Sequence, residues 1–511
     1  MNVLFVYPKV EETFWSFRYA LRVARRKAAF PPLGALTVAA MLPRSWEKRL
    51  VDLNVKSLGD EDLLWADYVF ISAMIAQKDS TRQVIDRCRR LGAKTVGGGP
   101  LFLSYGEEFS DVDCLVLGEA EGTIGPLASD MERGAVKTIY SSDDHPSLEN
   151  MPIPMWDLID LNDYVSMSVQ YSRGCPFNCE FCDIIVMNGR VPRAKKDEQV
   201  IAELEALSDR GWSGSVFIVD DNFIGNKQKV KGLLRKIIAW QNGRRRRLSF
   251  YTEASVDLAE DDELMALMAE AGFNKVFLGI ETPAEESLRE CGKSQNLRHS
   301  LSESVHVIQN HGMAVMGGFI IGFDSDPPDI FQRQVNFIQK NGIVTAMIGL
   351  LTAIPGTRLY QRLEEEGRLL FKSSGNNTDT GSLNFIPKMD RQTILGGYQW
   401  VMNTVYSPEM YYKRILAFLR AYRPLARAPI AEKDLFTFLR SLWYLGIADR
   451  NPGKGYYWRL LEESLSKYRQ SFSDVVTMAI YGYHFRNLFW SPGIPLRWED
   501  WWEKIVANPG R

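Results

Sequence analysis

Cysteine is scarce in this chain, six in 511 residues, and most of it lies unpaired. That excludes a disulfide framework and fits a reducing compartment. Histidine is scarcer, five in all, and none precedes His145, so no imidazole metal site can form from the first quarter of the sequence. An excess of one charge is lacking too, since 61 Lys and Arg stand against 63 Asp and Glu. Such a balance gives no electrostatic footprint for nucleic acid. The single basic run, Arg244-Arg245-Arg246-Arg247, lies between a helix-like and a strand-like segment and reads as a solvated turn sooner than as a phosphate site. No segment is long and apolar enough to span a bilayer, and Met1 to Pro8 has neither the basic lead nor the cleavage site of a signal peptide. A cytoplasmic location is the expectation.

Against that scarcity, three cysteines crowd into Cys175-Pro176-Phe177-Asn178-Cys179-Glu180-Phe181-Cys182 at a C-x3-C-x2-C spacing. Thiolates are soft ligands suited to iron–sulfur clusters or zinc. A structural zinc site closes with four protein ligands, and no second Cys or His pair is near. Three sulfurs on one loop therefore point to a cuboidal cluster with an open fourth corner, with zinc or plain buried thiols as the alternatives. Cys88, Cys114 and Cys291 are scattered singly.

At 511 residues, two or three domains are expected. In the first, residues 1–145, strand-like runs at Asn2 to Tyr7, Lys48 to Asp52, Tyr68 to Ala73, Thr95 to Gly97 and Cys114 to Leu117 alternate with helices. This is the pattern of a doubly wound, Rossmann-like α/β sheet, whose ligand sits beyond the carboxyl ends of the strands. Those ends carry Asp52 and Asn54, Ser72, Gly98 and Gly99, and Glu119 and Glu121. Small and polar residues there either admit a ligand or are turn chemistry. No G-x-G-x-x-G follows the first strand, which weakens a dinucleotide reading.

A Pro-punctuated linker around His145 leads to residues 146–372, where six strands alternate with helices from Val165 to Leu350. Six repeats suggest a partial (β/α)6 barrel, with chemistry on the loops after the strands. Polar residues stand at those positions: Asp220 and Asp221, Glu253, Glu281, and then Gly322. A helix cap is the bland alternative for Asp220 or Asp221. The polar stretch 373–381 is a second boundary or a mobile loop, and residues 373–511 read as helical, with Ser407-Pro408 a good helix start. Seven of thirteen tryptophans lie there, including Trp400, Trp443, Trp458 and Trp502, as core or as the wall of an apolar pocket.

The cysteine loop, with Phe181 before its last cysteine, resembles the signature of radical S-adenosylmethionine enzymes. The preceding domain, with Phe30-Pro31-Pro32-Leu33-Gly34 and Gly97-Gly98-Gly99-Pro100, resembles the cobalamin domain of the cobalamin-dependent members. The resemblance spans about the first three quarters of the chain. It implies a [4Fe–4S] cluster on Cys175, Cys179 and Cys182, and S-adenosylmethionine against Phe181, Glu253, Glu281, Gly322 and, less directly, Asp221. It also implies cobalamin at the strand ends of the first domain. The cobalt-ligating D-x-H-x-x-G motif is absent, so no histidine of that domain can be the lower ligand.

What the resemblance implies chemically is a methyltransferase. A deoxyadenosyl radical abstracts a substrate hydrogen, and the carbon radical takes a methyl group from methylcobalamin. Cyclisation, oxidation or rearrangement with the same cofactors is the alternative, and a non-catalytic cobalamin or iron–sulfur sensor a second. A one-electron donor such as ferredoxin or flavodoxin is expected. The aromatic tail tilts the substrate towards a large apolar molecule, a lipid or tetrapyrrole, although relatives also modify protein side chains. No cysteine follows Cys291, which excludes an auxiliary cluster in the tail. Catalytic residues are not legible.

Overall fold

Six short runs form one parallel sheet: Asn2–Tyr7 (β1), Glu47–Asp52 (β2), Tyr68–Ser72 (β3), Thr95–Gly98 (β4), Cys114–Leu117 (β5) and Ile139–Ser141 (β6). Their order is β2-β1-β3-β4-β5-β6 in a computed structural model that describes residues 1–142, 145–244, 246–424, 432–448 and 452–501. Helices cover both faces, so strands such as β1 are apolar almost throughout, with Val3, Leu4, Phe5 and Val6 buried. β6 gave no sequence signal because it has three residues and only Tyr140 is buried. The order reverses direction between β1 and β3, and a doubly wound sheet opens a crevice at such a point.

A second parallel sheet holds Ser166–Val169 (β7), Ser215–Ile218 (β10), Ser249–Ala254 (β11), Phe273–Glu281 (β12), Ala314–Ile321 (β13) and Thr345–Leu350 (β14), in chain order from edge to edge. Between β7 and β10, Ser172–Arg173 (β8) pairs antiparallel with Arg193–Ala194 (β9) and frames the cysteine loop. This is the expected six-stranded partial barrel. Side chains that alternate towards the helices are buried, and those facing inward stay partly exposed. Register aligns the inward residues in rows: Phe217, Tyr251 and Lys275, then Glu253, Phe277 and Met316, then Gly279, Gly318 and Met347. The Phe277 ring occupies the room that a side chain at Gly318 would need, 2.8 Å from an ideal Cβ.

The helix expected from Leu297 begins instead at Leu301, because the Ser300 hydroxyl accepts from Glu303 N–H at 3.3 Å and caps it there. From Arg391 on, the described chain is mainly helical: Arg391–Tyr406, Pro408–Ala421, Glu432–Ser441, Lys454–Lys467, Phe472–Phe489 and Trp498–Trp501. Ser407 caps the second of these as its sequence suggests. The stretch 373–381 is tied down at both sides. Tyr105 of the first domain donates to Ser373 O at 2.7 Å, and Leu350 N–H of β14 donates to Asn377 O at 2.8 Å. Trp400 and Trp501 are core, and Trp498 stacks on Phe331 of the barrel. Trp443 and Trp458 are exposed instead, and Trp502 lies outside the described residues. Among the described residues no helix is long and apolar enough to cross a membrane.

Candidate functional site

The cysteine loop leaves β8 and is gripped from distant parts of the chain. Asp220, at the end of β10, accepts from Tyr171 N–H and Ser172 N–H at 2.7 Å each and from the Ser172 hydroxyl at 2.6 Å. It is no helix cap. Burial pushes its pKa up to about 7 against those three donors, which favour the ionised form. Asp221 accepts from Gly174 N–H and Asn188 Nδ2, both at 3.0 Å, so its carboxylate orients the loop. Between Cys179 and Cys182, Glu180 N–H donates to Cys291 O at 2.9 Å, Leu359 N–H donates to Glu180 O at 3.0 Å, and Arg362 binds the Glu180 carboxylate at 2.7 Å.

The three sulfurs fit a cluster. Phe177 N–H and Asn222 Nδ2 face Cys175, Gln295 Nε2 faces Cys179 and Ile184 N–H faces Cys182. Such donors suit thiolates more than thiols. Burial raises the pKa of all three, Cys182 to about 12, while the Lys293 ammonium acts on each in the opposite sense. Metal coordination would deprotonate them outright. Among the described residues no three Cys, His, Asp or Glu side chains converge on one ion-sized position. Cys291, single in the sequence, packs behind the loop with its thiol directed at Leu288 O, 3.6 Å away.

Four of the residues expected at the cofactor lie on the cysteine loop or towards the carboxyl ends of the barrel strands: Phe181, Glu253, Glu281 and Gly322. The Glu253 carboxylate, on an inward row, has no hydrogen-bond partner among the described residues, and burial pushes its pKa up to about 7. Glu281 takes the left-handed backbone region, φ 65°, at a register slip between β12 and β13, and its carboxylate is salt-bridged to the buried Lys293. A non-glycine residue held there is strained, a feature common at functional sites. Phe181 meets Phe323, with ring centroids 6.1 Å apart. Phe323 follows Gly322, whose φ of 116° suits glycine and whose N–H donates to Asp326 at 2.8 Å. An unpartnered carboxylate, an aromatic ring and a bare backbone turn fit a molecule carrying an ammonium group and a flat heterocycle.

The first domain contributes a cavity of about 380 Å³ at the carboxyl ends of β3, β4 and β5. Its walls include Phe5, Phe70 and Val116 from the strands, Gly34 and Val38 from helix Leu33–Met41, and Ser72, Gly98, Gly99, Glu119 and Glu121. Gly99 has φ 96° and passes 2.9 Å from Ala73 O when an ideal Cβ is added, so no side chain fits. Asp52 and Asn54 are not brought to the cavity. β2 is the edge strand, and Asp52 is buried against Tyr164, whose hydroxyl donates to it at 3.0 Å. Asn54 is held by Val10 N–H at 2.9 Å.

Glu119 and Glu121 are spoken for in a different way. Arg173, two residues before Cys175, lines the cavity and bonds Glu119 at 2.7 Å and Glu121 at 2.8 Å. Arg193 grips Glu119 from β9, and His145 stands 3.2 Å from the same carboxylate. Burial opposes ionisation of Glu119, but Arg193 and Arg173 hold its pKa below the usual value. The cavity and the cysteine loop thus share one buried ionic wall. Lys293, Gln295, Arg362, Arg173 and Arg193 escaped the sequence reading because their partners lie up to 182 residues away. The one sequence cue was the placement of Arg173 beside the loop.

Three family models match the chain: B12 binding domain over residues 19–128, Radical SAM superfamily over 169–338, and Domain of unknown function (DUF4070) over 357–491. An uncharacterized methyltransferase of Synechocystis sp. is 40% identical over 491 residues, covering 95% of this chain and 91% of that protein. A hopanoid C-2 methylase of Rhodopseudomonas palustris is 34% identical over 418 residues, covering 81% and 78%. The fold is similar to that of the radical S-adenosylmethionine methyltransferase TsrM from Kitasatospora setae, solved with cobalamin and [4Fe–4S] cluster bound, at TM-score 0.63 and 17% identity over 94% of this chain and 98% of that one. With both cofactor-domain models in series and a relative this similar along nearly its whole length, the chain belongs to the cobalamin-dependent radical S-adenosylmethionine methyltransferases, a family that works with cobalamin, S-adenosylmethionine and a [4Fe–4S] cluster.

Proposed function

We propose that the protein methylates an unactivated carbon of a large, apolar, polycyclic lipid through a substrate carbon radical. The observation that carries this reading is the shared ionic wall. Arg173 lines the cobalamin-domain cavity and leads directly into the cysteine loop, so a substrate between the two domains is within reach of both cofactors. When bound, the cluster and S-adenosylmethionine supply a hydrogen-abstracting radical and cobalamin supplies the methyl group.

The chain's own part is binding, orientation and exclusion of water. Cys175, Cys179 and Cys182 would hold the cluster, Glu253 the ammonium or ribose of S-adenosylmethionine, and Phe181, Gly322 and Phe323 its adenine. Gly34, Gly98 and Gly99 would admit cobalamin closely against the backbone. No histidine precedes His145, and His145 itself faces Glu119, so cobalamin would be held there without a histidine from the first domain. A one-electron donor such as ferredoxin or flavodoxin would reduce the cluster. The inward rows of the barrel support an apolar substrate, since Phe217, Tyr251, Phe277, Met316 and Met347 are partly exposed there. The hopanoid C-2 methylase relative supports a polycyclic lipid.

The test is anaerobic reconstitution with iron, sulfide and cobalamin, followed by reduction with methyl-deuterated S-adenosylmethionine and a hopanoid. Deoxyadenosine together with a product three mass units heavier per labelled methyl is expected. Deoxyadenosine with an unmethylated, rearranged or oxidised product would favour the cyclase or oxidase reading. No deoxyadenosine from a fully loaded enzyme would favour the sensor.

A further inference from the structure

Helix Glu432–Ser441 runs on into a wider π-type turn, Leu442–Ile447. One side of this element is ordinary core: Leu445 is fully buried, Phe438 packs edge-on against Phe472 at 5.3 Å, and the Ser441 and Tyr457 hydroxyls meet at 2.8 Å. The other side is apolar as well. Leu435, Phe436, Leu439, Trp443 and Ile447 recur at helical spacing, and each is about half exposed, Trp443 most at 57%. Trp458 lies alongside, its indole N–H turned inward to Gly446 O at 3.1 Å and its ring 45% exposed. The helix also carries Glu432, Lys433, Asp434 and Arg440 in its sequence, but a contiguous exposed apolar stripe of this kind marks an interaction surface.

The surroundings say what covers it. Arg440, on the same helix, donates to Val23 O at 2.6 Å and so seats the stripe over the end of helix Arg18–Ala24. Arg22, Arg25 and Arg26 cluster at that end. Among the described residues none of these four arginines is paired with a carboxylate. Arg25 and Arg26 act on Arg440 as like charges, after burial the main causes that lower its pKa. Apolar side chains with interfacial tryptophans, bordered by arginines that pair with no carboxylate among the described residues, match the layered chemistry of an anionic bilayer surface, apolar below and phosphate above. The same module also reaches the site. Phe17 packs on Tyr481 at 5.3 Å, and Trp15 approaches Phe277, which shares an inward row with Glu253, at 5.5 Å.

We infer that this stripe, with Arg22, Arg25, Arg26 and Arg440, is a monotopic docking surface for a membrane rich in anionic phospholipid. The inference goes beyond the methyl-transfer reading and does not depend on it, because docking needs no turnover.

Vesicle co-sedimentation of the full chain tests it, with phosphatidylglycerol–phosphatidylcholine vesicles beside pure phosphatidylcholine and at low and high salt. Expected are binding to the anionic vesicles, weakened by salt, and a loss of about tenfold or more in partition for Leu439→Ser/Trp443→Ser. Arg25→Gln/Arg26→Gln should lower binding to anionic vesicles alone. Leu435→Ser/Phe436→Ser, at two other exposed positions, repeats the first test should the Trp443 variant fail to fold. Cluster absorbance and melting temperature serve as folding controls. Three results would overturn the proposal: no vesicle binding by the wild-type chain, binding that folded stripe variants retain, or light scattering that shows the stripe buried in a dimer which those variants dissolve.

Discussion

The cysteine loop and the cobalamin-domain cavity sit on either side of one ionic wall, yet they are built on opposite principles. The loop works through what is present, three sulfurs fixed by donors and carboxylates from remote segments. The cavity works through what is missing, side chains that Gly34, Gly98 and Gly99 do not have, above an apolar lining. A ligand set fails when an atom is removed, whereas a shaped void fails when one is added.

Four experiments sharpen or break that contrast. The largest effect is expected from Cys179→Ala, which should abolish cluster iron and its visible absorbance while leaving cobalamin uptake intact. Cys88→Ala, in the core of the first domain, should change neither. Next, Arg173→Met leaves Glu119 and Glu121 buried with less charge opposite them, at a cost of about 3–5 kcal/mol. Adding Glu121→Gln should recover part of it in a thermal melt. Cluster and cobalamin retention should fall together in the single variant. Loss of one cofactor alone would make the two regions independent.

Smaller effects test the two principles separately. Gly98→Ala fits, since its Cβ would stand 3.7 Å from Val116 O, but Gly98→Leu projects into the cavity. Cobalamin affinity should fall about tenfold or more with cluster content unchanged. Last, Glu253→Gln should weaken S-adenosylmethionine about tenfold, roughly 1.4 kcal/mol, measured by equilibrium binding to the cluster-loaded protein. The pKa of Glu253 is raised to about 7, so its carboxylate forms as pH rises through that value. Affinity for the cationic cofactor should strengthen with pH across about 6 to 8 in the wild type and stay flat in the variant. A pH-independent wild type would detach Glu253 from the cofactor.

Much of this was readable beforehand where the signal is local. The strands of both sheets follow from runs of apolar residues broken by turns, and most expected bounds differ from those found by only a few residues, with Ala314–Ile321 found as expected. β12 extends further than expected, to Phe273–Glu281, because pairing with β11 starts at Phe273 and pairing with β13 carries it across Gly279. The tail was readable as helical but not as two-faced. Trp400 and Trp501 went to the core, while Trp443 and Trp458 were left outside, and the same residue type at similar spacing cannot reveal which.

By itself the sequence marked the metal loop, because C-x3-C-x2-C is a covalent fact about neighbours and soft ligands need no distant partner to be recognised, and the resemblance carried by that loop pointed to a cluster. It also determined the alternation that builds a parallel sheet and a partial barrel, since periodicity is local. Tertiary structure alone decided that Glu119 and Glu121 would serve Arg173 and Arg193, that Asp52 would be consumed by Tyr164, and that Lys293 and Gln295 would stand behind the sulfurs. Hydrogen bonds and ion pairs depend on distance in space, and chain closure over 50 to 180 residues sets that distance without leaving a mark on local composition.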